Sequence, residues 1–334
     1  MKRFDVVGVG SLVVDFFTDS PYLIIEMSYW KKETFIALPT GKTLSRVVMR
    51  GGGSSGNTIA YLSKLGLKCG YFTKLGYDTL SQFLIDDLSS FGIDTSGILR
   101  ERGLEAGKSI IVSSKGLKDH ALVVDHGASD FLTKKDVEKK LEYVMSAEWI
   151  DLTSFTSKAA IEAMMYLVKK IKDSVKIFFA PSKTMISVFP KETLKILKIS
   201  NAVSLNEEEA MILTKKNDLI SVLKMFKKIG LQAFITRGKD GIVALFDGKA
   251  YKIGSYKVRD VKNTTGAGDV AAAWFLYGLK TGMDIKKILN YASVAAAFHV
   301  RSNVVGGHEG LPTRREIERY LKKVRDLPVR EIKL

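Results

Sequence analysis

An α/β fold, with a mostly parallel sheet covered by helices on both faces, is what this sequence predicts, and three features predict it. From Thr133 onward, short apolar runs alternate regularly with helical stretches, the order expected of strands joined by helical crossovers. Two glycine-rich turns, 51–56 and 266–268, lead into helices, a position where α/β proteins commonly hold ligands. A hydrophobic content of 46% over 334 residues is ample for a large buried core.

The elements follow in order. Residues 4–14 form an apolar run that reads as a buried first strand ending at Asp15. Residues 16–50 are irregular, mixing aromatics such as Phe16, Tyr29 and Trp30 with short β-prone pieces. After the glycine cluster a helix is expected over 57–65, closed by Gly66 as a C-cap. A strand over 68–75 and a helix over 79–91 come next, the latter closed by Gly92. Apolar segments 109–113 and 121–124 flank Lys115-Gly116 and read as a hairpin. Helices are then expected near 134–146, 157–173, 207–214 and 219–229, with strands near 149–152, 176–180, 202–205, 233–236 and 242–246. The final third is helical over 267–280, 284–300 and 313–326. No repeat, low-complexity tract or linker interrupts the chain, so 1–334 is expected as one domain with a small β-rich appendage from 16–50 and 99–126.

Composition excludes several classes. One cysteine, Cys69, rules out an internal disulfide and a cysteine-based zinc site. Asp5 and Asp15 interrupt the apolar N-terminus and no small-residue cleavage site follows, so a strand is expected there rather than a signal peptide. No apolar run approaches the length of a membrane span, and a cytoplasmic protein without membrane partners is expected. The net charge of +16 invites a nucleic-acid reading, but pairs such as Lys134-Lys135 and Lys227-Lys228 are spread along helices, with acidic residues between many of them. No recognition helix or zinc finger accompanies them, and a solvated basic surface without nucleic acid is expected. Only two glutamines, Gln82 and Gln232, amid many Lys and Glu lean towards a thermophilic source.

The stretch Asn263-Thr264-Thr265-Gly266-Ala267-Gly268-Asp269 carries the clearest chemistry. Its glycines leave amides unshielded at the first turn of a helix, and unpaired donors with the positive end of the helix dipole form a seat for an anion. Asp269 beside that seat suits a base that takes a proton from a hydroxyl attacking phosphorus, although Asp in a first turn also stabilises a helix. Gly51–Asn57 is a second such junction, where Asn57 offers both a donor and an acceptor to a hydroxyl, or else a plain flexible loop. Asp15 lies where a strand should present a ligand residue. Asn206 and Glu209 suit a helix cap as well as a water-mediated magnesium site. Residues 236–241 read as a tight turn or a nucleotide-lining loop. Gly8-Val9-Gly10 lacks the third glycine of a dinucleotide fingerprint, Val13 standing there. Gly41-Lys42-Thr43 lacks the first glycine of a P-loop, Ile36 standing there. His120, His126, His299 and His308 have no metal-ligand spacing, so core or surface roles are their default.

In order and spacing these pieces resemble the ribokinase-like (pfkB) family of sugar and nucleoside kinases over nearly the full length. The glycine run ending in Asn57 is similar to the family's first signature, and Thr264–Asp269 to its second. Asp15, Asn206 with Glu209, the 236–241 turn and Leu311-Pro312-Thr313 fall where the family has counterparts. The resemblance implies a three-layer α/β/α core, with segments 16–50 and 99–126 as a β-sheet lid over the acceptor site. It implies ATP–Mg²⁺ phosphorylation of an alcohol on a sugar or polyol, or on a nucleoside as in adenosine kinases. Asp269 would be the base, and the amides of Gly266, Ala267 and Gly268 an anion hole. Asp15, Gly52, Gly53 and Asn57 would hold the acceptor. Asn206, Glu209, Thr236, Gly238, Gly241, Thr265 and Asn303 would hold the nucleotide, with Glu209 reaching Mg²⁺ through water. A homodimer, if one forms, is expected through the lid. Asn263 replaces an acidic residue that in many members helps hold a monovalent cation, so K⁺ independence is expected. Ala180-Pro181-Ser182 replaces a common Asp-Pro-Asn-like segment. Basic residues Lys42, Arg46, Arg50, Arg100 and Arg102 raise the further option of an already phosphorylated acceptor.

Overall fold

Strand β1 (Phe4–Val9) ends before the apolar N-terminal run does, because the chain changes sheets at Gly10-Ser11-Leu12. The single strand expected over 4–14 is therefore two, and Asp15 sits within β2 (Val13–Asp19) of a second sheet. Gly10 makes the crossing: a Cβ there would fall 2.1 Å from Thr153 Oγ1. The computed structural model describes residues 2–19, 24–28, 33–37, 46–113, 120–258, 261, 264–301, 311–324 and 326–334. Asn263, Asn303, Lys42, the Gly41-Lys42-Thr43 stretch, the Lys115-Gly116 turn and His308 lie outside them.

A hairpin of β3 (Ile24–Ser28) and β4 (Glu33–Ala37) follows β2, and β5 (Arg46–Gly52) returns antiparallel to β2. Helix α1 (Ser54–Lys64) leads to β6 (Cys69–Phe72), and the short parallel pair β7 (Lys74–Leu75) and β8 (Leu99–Arg100) brackets α2 (Thr79–Ser90). The expected hairpin is β9 (Gly107–Ser113) with β10 (His120–Asp125), paired antiparallel. Strand β9 also joins β2 in parallel, giving a four-stranded sheet in the order β10-β9-β2-β5. Parts of the segments expected to form the appendage thus meet in one small sheet, while β3 with β4 and β8 with β7 pair outside it.

The remainder alternates as expected: α3 (Lys134–Met145), β11 (Ala147–Leu152), α4 (Lys158–Ile171), β12 (Lys176–Phe179), α5 (Lys183–Val188), α6 (Pro190–Ile199), β13 (Ala202–Asn206), α7 (Glu207–Thr214), α8 (Leu219–Lys228) and β14 (Gln232–Thr236). Strands β15 (Ile242–Phe246) and β16 (Lys249–Ile253) follow, then α9 (Ala267–Thr281), α10 (Ile285–His299), α11 (Arg314–Val324) and β17 (Arg330–Ile332). The large sheet runs β17-β16-β15-β14-β13-β12-β11-β1-β6. Its strands from β6 to β14 are parallel, and β15 to β17 are added antiparallel.

Strand alternation divides the core in two. Val6, Phe178 and Phe234 face α1, α9 and α10, whereas Val7, Phe179 and Ile235 face α4, α6 and α8. Helices therefore cover both faces of the large sheet, and the three layers are α, β and α. Main-chain ends at Thr153, Ala180, Asn206 and Thr236 then converge at the carboxyl edge of the parallel strands.

Candidate active site

Helix α9 aims its first turn at that carboxyl edge. Gly266 is its N-cap at φ 80°, ψ −7°, a left-handed conformation that a side chain would strain. The Ala267 N–H donates to Thr264 O (3.2 Å), so of the three amides expected in an anion hole this one is already engaged. At Gly268 φ is not positive, and a Cβ would meet nothing within 4 Å among the described residues. Glycine is thus demanded by conformation at 266, while at 268 it leaves open space in front of the turn.

Both oxygens of Asp269 accept hydrogen bonds from α1: Ser54 Oγ donates to Oδ1 (2.6 Å) and Asn57 Nδ2 to Oδ2 (2.8 Å). The two glycine signatures meet at this carboxylate, more than 200 residues apart in sequence. Two donors from one helix fix the plane of the carboxylate. Asn57 Oδ1 is buried with no partner among the described residues, leaving a strong acceptor for an incoming hydroxyl.

Asp15 is buried on the small sheet and accepts a hydrogen bond from Ser109 Oγ on the neighbouring strand β9. Gly52 makes room for it, since a Cβ at 52 would fall 2.0 Å from Asp15 Oδ2. A cleft of about 750 Å³ is lined by Asp15, Gly53, Asn57 and Ser109 together with Asn206, Glu209 and Thr236. Thr265, Gly268 and Asp269 line it too. Val13, Ile111, Leu122 and Val124 of the small sheet supply an apolar wall.

Asn206 and Glu209 form a capping box on α7: Glu209 N–H donates to Asn206 Oδ1 and Asn206 N–H to Glu209 Oε2, both at 2.8 Å. They are a structural cap and cleft residues at once. Burial pushes the Glu209 carboxyl above its ordinary value, two backbone donors pull it down, and the Glu208 and Asp269 charges add to the rise. Among the described residues no group of three His, Cys, Asp or Glu could hold a metal by itself. A magnesium ion here would be held by water and phosphate oxygens, with Glu209 reaching it through water.

The 236–241 turn is brought only partly to the cleft. Thr236 lines it, Gly238 lines an adjoining groove with Glu207 and Arg237, and Gly241 packs instead against the backbone at Ile253. Ala180, Pro181 and Ser182 line the cleft as well, and the Ser182 N–H donates to Ser154 Oγ (2.6 Å).

Three contributors were not legible beforehand. Ser54 carried no signal beyond its place in a glycine loop. His126 lines the cleft with Nδ1 2.9 Å from Ser11 Oγ, and burial lowers its pKa despite Asp130 and Asp125 nearby. His299, at the end of α10, is buried with Nε2 2.8 Å from the Thr265 carbonyl. Isolated histidines without partner spacing gave the sequence nothing to read.

Comparison with known proteins identifies the family and the fold. The model of the pfkB family carbohydrate kinases matches residues 23–313. A ribokinase from Bacillus subtilis (strain 168) is 30% identical over 273 residues, 81% of this chain and 87% of the relative. A 5-dehydro-2-deoxygluconokinase from Clostridium botulinum (strain Alaska E43 / Type E3) is 27% identical over 347 residues, 97% of this chain and 95% of the relative. The structure of a ribokinase II candidate from E. coli, solved in complex with ATP and Mg²⁺, superposes with a TM-score of 0.79 at 19% identity, covering 96% of this chain and 99% of that one. The chain belongs to the pfkB family of carbohydrate kinases, phosphotransferases on the ribokinase-like fold.

Proposed function

We propose that this kinase transfers the terminal phosphoryl group of ATP to an alcohol of a sugar or sugar-derived polyol, with Asp269 as general base. The observation that carries the reading is one cleft lined at once by Asp269, by acceptor-type groups (Asp15, Asn57, Ser109) and by donor-type groups (Asn206, Glu209, Thr236). Asp15 and Asn57 Oδ1 accept from acceptor hydroxyls and orient one of them towards Asp269. Asp269 takes that hydroxyl's proton as its oxygen bonds to phosphorus and the bridging oxygen leaves with ADP. Amides of the Gly266–Gly268 turn, chiefly that of Gly268, face the charge that develops on the transferring group. MgATP supplies the phosphoryl group and the neutralisation of its charge. Asn263 leaves K⁺ unneeded, so the initial rate is expected to stay flat against K⁺ concentration at constant ionic strength.

The apolar wall of the small sheet favours one second reading, a nucleoside acceptor whose base lies against it. A phosphorylated acceptor has less support, because no described residue lining the cleft is Lys or Arg. Arg100 instead bonds Gly76 O and Gln82 and covers the Tyr77 ring. The small sheet acts as the lid, and its outer face exposes Val47, Met49, Ile110 and Val123, an apolar patch suited to a homodimer contact.

The test is an acceptor panel of neutral sugars, polyols, 5-dehydro-2-deoxygluconate and nucleosides, read as ADP release with Mg²⁺ present and absent. Mg²⁺-dependent transfer to a neutral sugar or polyol is expected. Transfer to nucleosides alone would replace the first reading with the second, and no transfer to any alcohol would overturn both.

A further inference from the structure

We propose that His299 is a positioning residue that braces the anion-hole turn, its Nε2–H holding the Thr265 carbonyl and so fixing the left-handed Gly266 that opens α9. The inference rests on the kinase reading above only for its consequence in turnover; the brace itself is a property of the fold.

The geometry is specific. A carbonyl oxygen can only accept, so the ring nitrogen 2.8 Å from Thr265 O carries the hydrogen. The other nitrogen, Nδ1, is buried and has no partner among the described residues, with the whole residue 4% exposed. Burial lowers the His299 pKa, outweighing the Thr265 carbonyl and the Asp269 charge, so the neutral ring with one N–H is the form present near neutrality. A buried imidazole with an orphaned nitrogen is a poor way to fill a core. A leucine or phenylalanine would fill the same space without burying an unpaired acceptor. What an imidazole adds is the donor on its far edge, and that donor meets the turn one residue before the N-cap.

The contact is close enough to control the turn. A Cβ on Gly266 would lie 3.1 Å from His299 Nε2 and 3.8 Å from Asn57 Nδ2, so the ring, Gly266 and the Asp269 partner Asn57 are packed together. Helix α10 makes more contact with α9 than any other helix does, which gives the brace a rigid mount. If the Thr265 carbonyl is released, the peptide planes of the turn can rotate. The Gly268 amide and the Asp269 carboxylate then lose their fixed relation to the acceptor, with little change in how tightly the acceptor is held.

The test compares His299→Leu with His299→Gln, whose side-chain amide nitrogen can reach the position of Nε2. The first readout is amide hydrogen exchange in the protein without substrate, at Ala267 and Val270, whose N–H groups bond Thr264 O and Gly266 O. His299→Leu should exchange there about tenfold faster or more, and His299→Gln within about threefold of the parent. The second readout is kinetic: His299→Leu should lose about 10-fold to 100-fold in kcat with acceptor KM changed less than about twofold, and Gln should recover most of the loss. If His299→Leu does not fold, His299→Asn replaces it, because its shorter amide cannot reach Thr265. Parent-like exchange in a folded Leu or Asn variant, or a Gln variant no better than it, would overturn the brace. Absence of phosphoryl transfer in the parent would instead overturn the kinase reading and leave the exchange result standing.

Discussion

Asp269 is held by two donors from another helix, which is more than a first-turn carboxylate needs to stabilise its own helix dipole. Asp269→Asn should leave the fold intact and lower kcat by roughly 10²–10⁴-fold, the usual range for a lost general base. Parent-like turnover at saturating substrates would remove Asp269 from the mechanism. The glycines beside it separate two physical roles. Gly266→Ala places a side chain at φ 80° against His299, so it should destabilise the protein by about 1 kcal/mol or more, read in the denaturation midpoint. Gly268→Ala meets no atom of the described residues within 4 Å, so stability should hold while nucleotide affinity and kcat fall. Equal stability losses in the two variants would show that both glycines serve only the helix start. Sequence spacing made Asp269, Asn57 and the glycines legible because short motifs encode local backbone geometry. It left Ser54, His126 and His299 unread because their roles depend on contacts with segments far away in the chain.

Elements were legible where apolar periodicity was strong and not where a packing contact decides. Helix α1 begins at Ser54 rather than at 57, although Ser-Ser-Gly is poor helix sequence. Burial of Ser55 and Gly56 against the sheet overrides propensity there. Between 181 and 201 no helix was expected, yet α5 and α6 occupy it; Pro190 sits at the start of α6, where its missing N–H costs nothing. Strands β16 and β17 were missed as short edge additions with exposed positions. The capping box on α7 shows an element serving both the fold and the cleft. Asn206→Ala should cost about 0.5–2 kcal/mol in stability, the range for a lost N-cap. It should also free the Glu209 carboxylate and raise the KM for MgATP, because the cap fixes that side chain at the cleft. A stability loss with an unchanged KM would reduce Asn206 and Glu209 to a cap.

At the scale of the whole molecule, the alternating strands and helices after Thr133 foretold the parallel sheet, and the hairpin foretold part of the small one. The exchange of the chain between sheets at Gly10 was not read from Gly10-Ser11, because apolar residues continue on both sides of it. That exchange matters because it sets Asp15 on the small sheet while β1 stays in the large one, beside β11 and its Asp151. Asp151 is fully buried, and both its carboxyl oxygens lack a partner among the described residues. Ser55 Oγ donates to its main-chain carbonyl instead (3.2 Å). Burial, opposed by the nearby Ser55 hydroxyl and reinforced by the Asp269 charge, raises the carboxyl from 3.8 to about 8, which favours the protonated form in the native protein at neutrality. The unfolded chain releases that proton near pH 4, the ordinary carboxylate range. Between about pH 4 and pH 8 the native state therefore binds one proton more than the unfolded state, and this group's contribution to stability falls as pH rises. The slope is at most about 1.4 kcal/mol per pH unit. Asp151→Asn keeps the shape and removes the titration. Unfolding free energies of the two proteins, measured by denaturant from pH 5 to pH 8, should diverge steadily in the variant's favour as pH rises and run parallel above that range. A constant offset across the whole interval would mean that Asp151 is ionised in the native protein, with a partner for its charge at the heart of the sheet.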